Sequence, residues 1–342
     1  MSDPAVAVVG MSGGVDSSVA AHLALQTGCR VIGVMLQMKA PSPERDADEA
    51  AFFAVARQLG IEAELLPAPD FQEKVIRFSA EEYQRGRTPN PCCICNQAVK
   101  FARLLEFADA IPGAMVWTGH YAKMTDGRLF RGADRAKDQS YFLYRLPEAW
   151  RKKIVLPLGV HTKSEVRAMA ESLQLEVARR PDSQDVCFGV SGECCGETLR
   201  RMAGFPEKIG YFLYRGKIVG SHRGIHRYTL GQRSKLGVAL GVPAYIAKID
   251  AQSNDITLET DGASLDRNQF FLDDVFLHET ALPQRAELQI RYRSRPVFAS
   301  LREENGRIAV TTESPVHAVT PGQAGVFYLG NRVAGGGTIA LE

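Results

Sequence analysis

No apolar run in the 342 residues approaches the roughly 20 that a membrane-spanning helix needs, which removes the helical membrane class. Neither sign of charge dominates: 41 Lys+Arg against 39 Asp+Glu leave +2, so a nucleic-acid partner has to show as a local patch. The opening MSDPAVAVVGMSGG has no basic n-region and no small-residue cleavage site, so no signal peptide and a cytoplasmic protein are expected. Internal repeats and low-complexity tracts are missing. With 45% hydrophobic and 23% charged residues, disordered and collagenous chains are excluded, and a soluble globular protein of two or three domains is expected.

Seven cysteines without a secretory signal argue against a disulfide framework. They fall unevenly, as Cys92, Cys93 and Cys95, then Cys187, then Cys194 and Cys195, with Cys29 alone. Cys29 reads as a small buried hydrophobe. The clustered thiols favour catalysis or metal binding.

The first 200 residues alternate apolar runs with helical patterns. Strands are expected at 5–9, 31–36, 63–67 and 115–120, and helices at 17–27 (closed by Gly28), 46–59, 70–85 and 97–108. This alternation predicts an α/β fold around a mainly parallel sheet, with ligands at the carboxyl ends of its strands. After about residue 205, short strands separated by turn signals such as Arg215-Gly216 and Asp261-Gly262 predict a small middle domain and a closed antiparallel β-barrel. The expected division is 1–206, 207–265 and 266–342.

Ser12-Gly13-Gly14-Val15-Asp16-Ser17-Ser18 lies between the first strand and the first helix. Two glycines let the backbone approach an anion, and a helix N-terminus presents unpaired N–H groups and a positive dipole end. The hydroxyls of Ser12, Ser17 and Ser18 can donate to phosphate oxygens. Asp16 repels phosphate unless a cation lies between them, which implies Mg²⁺. The alternative is a Gly-rich turn whose Ser and Asp side chains merely cap the helix. The GxxxxGK[ST] pattern is absent. SGGVDSS after an apolar strand resembles the signature of the N-type ATP pyrophosphatases (the PP-loop group), which cleave ATP between the α and β phosphates and adenylate a carbonyl oxygen.

Further segments narrow the resemblance. Gly86-Arg87-Thr88-Pro89-Asn90-Pro91-Cys92-Cys93-Ile94-Cys95-Asn96, Thr118-Gly119-His120-Tyr121, Lys137-Asp138-Gln139-Ser140-Tyr141-Phe142-Leu143 and Asp182-Ser183-Gln184-Asp185-Val186-Cys187-Phe188 resemble, in order, the tRNA-specific 2-thiouridylases of the MnmA/TrmU family. Tyr228-Thr229-Leu230-Gly231-Gln232-Arg233, Arg291-Tyr292-Arg293 and Thr320-Pro321-Gly322-Gln323 match too. The resemblance implies an ATP-dependent tRNA sulfurtransferase that adenylates O2 of a wobble uridine and inserts sulfur from a cysteine persulfide. It implies ATP contacts at Gly10, Met11, Ser12, Gly13, Gly14, Val15, Asp16, Ser17, Leu36 and Gly119. It further implies the persulfide on Cys187, with Cys95 closing a disulfide. Contacts to tRNA are implied at Asn90, Pro91, Cys92, His120, Lys137, Asp138, Gln139, Arg291, Tyr292 and Gln323. The implied partners are a tRNA with a wobble uridine and an upstream persulfide donor, with no membrane. Local charge agrees: residues 208–249 hold eight Lys/Arg and no Asp or Glu, with His222, His226, Tyr228 and Tyr245 interleaved.

The chain departs from the family at Cys92, where many relatives carry an aspartate credited with proton transfer near the target base. Cys92-x-x-Cys95 with distant Cys187 offers three thiols that suit a [4Fe–4S] cluster, while a CxxC pair also suits zinc or a redox disulfide. Cys93, Cys194 and Cys195 match nothing in the family pattern, and the stretch 37–47 lacks the acidic-aromatic loop of relatives. Two other readings stay open at this point. One is an adenylating enzyme of the same loop class acting on a small amide or nucleotide; the other is a non-catalytic RNA-binding protein with a vestigial loop.

Overall fold

A near-continuous apolar strand is expected where both faces of a sheet are covered, and Val6–Gly10 (β1) is such a strand, with Ala7, Val8 and Val9 fully buried. The computed structural model describes residues 4–181, 186–190 and 192–341. It divides into two units: the first holds 4–71, 92–181 and 330–333, and the second holds 72–91, 186–329 (with 191 undescribed) and 334–341.

In the first unit, β1 lies at the centre of a five-stranded parallel sheet with β2 (Arg30–Gln37), β3 (Glu62–Pro67), β4 (Met115–Thr118) and β7 (Ile154–Val155), in the order β3-β2-β1-β4-β7. A short hairpin, β5 (Ala122–Thr125) and β6 (Arg128–Arg131), follows β4. Gly10 pairs with Val34 on one side and Thr118 on the other, so β1, β2 and β4 present their carboxyl ends at one edge. The core packs Val9, Val19, Ala20, Phe52, Val55 and Val166 from the strands and the helices Val15–Gln26, Pro43–Leu59 and Lys163–Ser172. The expected helix at 70–85 is a wide π-type turn, Gln72–Arg77, running into the helix Phe78–Gln84, and this segment counts with the second unit. The one at 97–108 likewise begins as a wide turn, Asn96–Phe101, before the helix Ala102–Asp109.

The second unit contains a four-stranded sheet, β10-β11-β8-β9, built from β8 (Gly210–Tyr214), β9 (Lys217–His222), β10 (Tyr245–Asp250) and β11 (Asp255–Glu259). Its β8–β11 pair is parallel and the others are antiparallel. Six antiparallel strands follow: β12 (Asp266–Leu277), β13 (Arg285–Gln289), β14 (Val297–Glu304), β15 (Arg307–His317), β16 (Ala324–Leu329) and β17 (Arg332–Ala340). They run β12-β15-β14-β13-β16-β17, and the pairing of Phe271 with Ala340 closes them into a barrel. Phe270, Leu272, Leu288, Val310, Phe327 and Ile339 fill it. The parallel-sheet, middle and barrel architecture is therefore the one the sequence pattern predicts. Among the described residues, no helix is long and apolar enough to cross a membrane.

Candidate functional site

At the end of β1 the backbone continues the ladder by one bond, from Met11 N–H to the Val34 carbonyl (2.8 Å), and then turns through Ser12–Gly14 into the helix Val15–Gln26. Gly13 sits at φ +68°, and a Cβ there would lie 2.6 Å from the Asp48 carbonyl oxygen, so both conformation and space demand glycine. Gly119, just past β4, presses backbone to backbone: its Cβ would lie 2.8 Å from the Asp16 carbonyl carbon. The N-cap is Gly14, and among the described residues no side chain caps the helix. The first-turn N–H groups thus keep the anion-binding character of a helix start, and the capping alternative fails. The serines organise the turn. Ser12 N–H donates to Ser17 Oγ (3.2 Å), while the Ser17 and Ser18 hydroxyls donate to the Gly14 carbonyl (3.2 and 2.9 Å).

Asp16 is paired with a cation of the chain itself. Asp16 Oδ1 accepts from Lys163 Nζ (2.7 Å) and from the Tyr121 hydroxyl (2.7 Å). Lys163 opens its helix behind a Thr162–Glu165 capping box, and its side chain is only 11% exposed. A second cation stands at the loop, where Arg180 Nη1 donates to the Gly13 carbonyl (2.7 Å) and Nη2 lies 3.4 Å from Asp48 Oδ1. Sequence reasoning missed Lys163 and Arg180. The capping-box spacing TKSE marked a helix start at Lys163, but nothing in the sequence tied that start to Asp16.

Beside the loop, His120 is 8% exposed, bonded through Nδ1 to Thr118 Oγ1 (2.8 Å) and stacked on Phe101 at 5.6 Å. Burial, then the charge of Lys100, holds its imidazole well below the ordinary range, so it is neutral at pH 7. Gln139 zips the neighbouring loop to this one: its Oε1 accepts from Tyr121 N–H (3.0 Å) and its N–H donates to the Tyr121 carbonyl (2.8 Å). Asp138 is turned inward, accepting from Gly132 N–H, Ser140 N–H and the Ser140 hydroxyl, with Arg131 3.4 Å away. Lys137 is half-buried beside it.

Cys92, Cys93 and Cys95 share the short helix Pro91–Cys95. Cys93 is 3% exposed, and burial pushes its thiol far up, which makes it unreactive. Cys95 is 8% exposed, with Sγ 3.9 Å from Met38 Sδ, two residues beyond Leu36 at the carboxyl end of β2. Cys92 is half-buried. Cys95 counts with the first unit and Cys187, which is exposed in a turn at 186–189, with the second. Asp182, Ser183, Gln184 and Asp185 of the DSQDVCF match lie outside the described residues. Among the described residues, no three His, Cys, Asp or Glu side chains are grouped to hold a metal ion.

In the second unit, three of the quoted motifs meet at Thr88. Its N–H donates to the Pro321 carbonyl (2.8 Å), its carbonyl accepts from Gln323 Nε2 (2.8 Å), and its hydroxyl reaches Thr229 Oγ1 (3.4 Å). Arg291 joins the same turn by donating to the Ala318 carbonyl and to Thr320 Oγ1. Gln323 thus holds the backbone that leads into Asn90 and Pro91, and Arg291 holds the turn that carries Gln323; Asn90 and Tyr292 are half-buried. The basic stretch is less open than its count implies. Arg223 and Arg227 are paired with Glu207 (2.7 and 3.1 Å), and Arg227 also with Glu197 (3.0 Å). Hydrogen bonding to Arg200, then to His226, holds Glu197 down at about 2. His222 and His226 are buried, so they offer no stacking face.

Three family models match the sequence: a tRNA methyl transferase HUP domain over residues 5–191, a tRNA methyl transferase PRC-barrel domain over 205–259 and an aminomethyltransferase beta-barrel domain over 269–339. The tRNA-specific 2-thiouridylase MnmA of Acetivibrio thermocellus is 39% identical over an alignment of 355 positions, covering 97% of this chain and 98% of that one. The chain belongs to the MnmA family. Similar relatives in that family include MnmA 1 of a Thermoanaerobacter species, 41% identical with 97% of both chains covered, and MnmA of Syntrophotalea carbinolica, 40% identical with 97% and 98% covered.

Proposed function

We propose that this chain is a cytoplasmic tRNA 2-thiouridylase, which uses ATP to adenylate O2 of a wobble uridine and replaces that oxygen by sulfur. The observation that carries the reading is an uncapped helix N-terminus at Gly14, flanked by Lys163 and Arg180, in a MnmA-family chain whose same unit holds the buried thiol Cys95. Methyl transfer, which two of the family models name, gives no work to an anion site of this kind.

The chemistry follows from the groups present. Gly10 to Ser17 hold the ATP phosphates, and Leu36 and Gly119 border the nucleoside. Uridine O2 attacks the α-phosphorus and pyrophosphate leaves. The charge growing on the leaving phosphates faces the first-turn N–H groups and the Lys163 and Arg180 cations. Mg²⁺, which adds neutralising charge when bound, fits Asp16 Oδ2, the oxygen with no hydrogen bond among the described residues. An upstream persulfide protein supplies sulfur to Cys187. The terminal sulfur of that persulfide attacks C2 and AMP leaves with the former O2. The Cys95 thiolate then attacks the Cys187 sulfur, so the S–S bond of the adduct breaks, C2=S forms and a Cys95–Cys187 disulfide closes. The persulfide proton ends on N3, and an external dithiol reduces the disulfide. Asn90, Pro91, Cys92, His120, Lys137, Asp138, Gln139, Arg291, Tyr292 and Gln323 line or brace the tRNA path. Adenylation and thiolation are assigned to 1–206, and tRNA contact to 207–265 and 266–342.

Pyrophosphate release from ATP, measured with and without an unmodified tRNA transcript, tests the reading. Release that requires tRNA and persists in Cys187→Ala, without thiolation, supports it. Equal release without tRNA contradicts it and favours an adenylating enzyme with a small substrate.

A further inference from the structure

The basic stretch 208–249 separates into two populations. Arg223 and Arg227 are neutralised by Glu197 and Glu207, and Lys248 lies 3.4 Å from Asp250. Arg215 and Arg233, like Lys208, Lys217 and Lys235, have no carboxylate partner among the described residues. Both line one open cavity of about 500 Å³, together with Tyr214, Val242, Pro243, Tyr245 and Thr260, and among the described residues no Asp or Glu lines it. Each guanidinium lies over a tyrosine: Arg215 is 5.1 Å from the Tyr214 ring centroid and Arg233 is 6.0 Å from that of Tyr245. Stacking holds a guanidinium in place while leaving its N–H edge open to a planar pair of oxygens.

The backbone gives a second, independent sign. Tyr214 pairs with Lys217, so Arg215-Gly216 is a two-residue hairpin turn, and both residues have positive φ, +49° and +72°. A turn of this hand favours Asn-Gly, and an arginine in its first position is conformationally unfavourable. Strain of this kind concentrates where a side chain is needed for something other than folding. Here the side chain is the one that stands over Tyr214 in the cavity wall.

We propose that this cavity is a phosphodiester subsite, in which Arg215 and Arg233 grip the tRNA backbone outside the reacting nucleotide. The inference rests on the tRNA reading above. Its volume lies within the roughly 300–1,000 Å³ of ordinary ligand sites, enough for one nucleotide unit. Two forked cations without competing carboxylates match adjacent phosphate oxygens, and the tyrosine rings flank a ribose or a base.

The test is anisotropy of the full-length protein with a labelled, unmodified tRNA transcript across a salt series, for wild type, Arg215→Asn, Arg233→Gln and Arg223→Gln. Arg215→Asn is the informative variant because asparagine suits the turn better than arginine does. It is expected to melt at or above the wild-type temperature while binding tRNA about five-fold more weakly, with the log K against log[salt] slope reduced by about one. Arg233→Gln behaves alike, and Arg223→Gln, already neutralised by Glu207, leaves the slope unchanged. The ATP KM is the same in all four proteins. Wild-type affinity and slope in Arg215→Asn and Arg233→Gln, from a protein that still thiolates tRNA, overturns this inference alone. A raised ATP KM with unaltered tRNA binding assigns the cavity to a free nucleotide and also overturns it. A wild-type protein that neither binds nor thiolates tRNA removes the function proposed above, and this subsite with it.

Discussion

Replacing Lys163 by Met removes the ammonium that lies 2.7 Å from Asp16 Oδ1 while keeping most of the side chain's volume. At that separation the gross attraction is about 6 kcal/mol for an effective dielectric near 20. Desolvation and the 35% exposure of the Asp16 side chain reduce it, and hydrogen bonds to charged groups leave about 1.5–3 kcal/mol net. The unneutralised carboxylate then faces the ATP phosphates. The ATP KM for pyrophosphate release is expected to rise roughly 10- to 150-fold, the same energy expressed as a ratio. Lys163→Arg recovers part of the loss. Adding Asp16→Asn to Lys163→Met costs less than the sum of the two single changes, because the repulsion that Lys163 relieves disappears with the carboxylate. An unchanged ATP KM in Lys163→Met, with a normal melting temperature, refutes the assignment of Lys163 to the phosphate site.

Burial holds His120, His222 and His226 below the ordinary imidazole value of 6.5, so the unfolded chain binds protons there that the folded chain does not. Stability is therefore full above pH 6.5 and falls as the pH drops through 6.5, by at most about 1.4 kcal/mol per pH unit for each histidine; urea midpoints from pH 8 to 5 check this, and a midpoint rising toward pH 5 contradicts it. Glu197 adds a separate loss at lower pH. Its folded value of about 2 against 4.5 makes its contribution complete above 4.5 and lost between 4.5 and 2, and Glu197→Gln removes that part of the acid transition. Gln323→Ala deletes the bond to the Thr88 carbonyl and is expected to destabilise the protein by about 1 kcal/mol by thermal melt and to raise the tRNA KM. Iodoacetamide at pH 8, followed by peptide mass spectrometry, should label exposed Cys187 well before buried Cys93.

The strand–turn–helix geometry at Ser12–Gly14 was legible because its requirements are contiguous: a buried strand, two glycines and a helix start within one stretch of chain. Its cations were not, since Lys163 and Arg180 reach the loop from 147 and 167 residues away and each sits in an unremarkable helical or turn context. The basic stretch illustrates a different limit. Counting Lys and Arg within 208–249 cannot see Glu197 and Glu207 just outside it, which fold back to neutralise Arg223 and Arg227. The last barrel strand, Arg332–Ala340, was not singled out in the sequence, because its run Gly335-Gly336-Gly337 carries no apolar alternation. In β17 they pass so close to β12 that a Cβ on Gly337 would lie 2.7 Å from the Asp273 carbonyl oxygen. The motifs around Thr88 were matched in the sequence one by one, and Arg291 and Gln323 were expected only as tRNA contacts; the fold brings the Gln323 amide onto the Thr88 carbonyl and the Arg291 guanidinium onto the Ala318 carbonyl.

The most direct test of thiouridylase function is mass spectrometry of tRNA nucleosides from a host that lacks 2-thiouridine and expresses this protein, beside its Cys95→Ser, Cys187→Ala and Cys92→Ala variants. 2-Thiouridine is expected with the wild type, none with Cys95→Ser or Cys187→Ala, and a reduced amount with Cys92→Ala. Absence of 2-thiouridine with the wild type in the presence of a competent persulfide donor, or full thiolation by Cys187→Ala, would contradict that function.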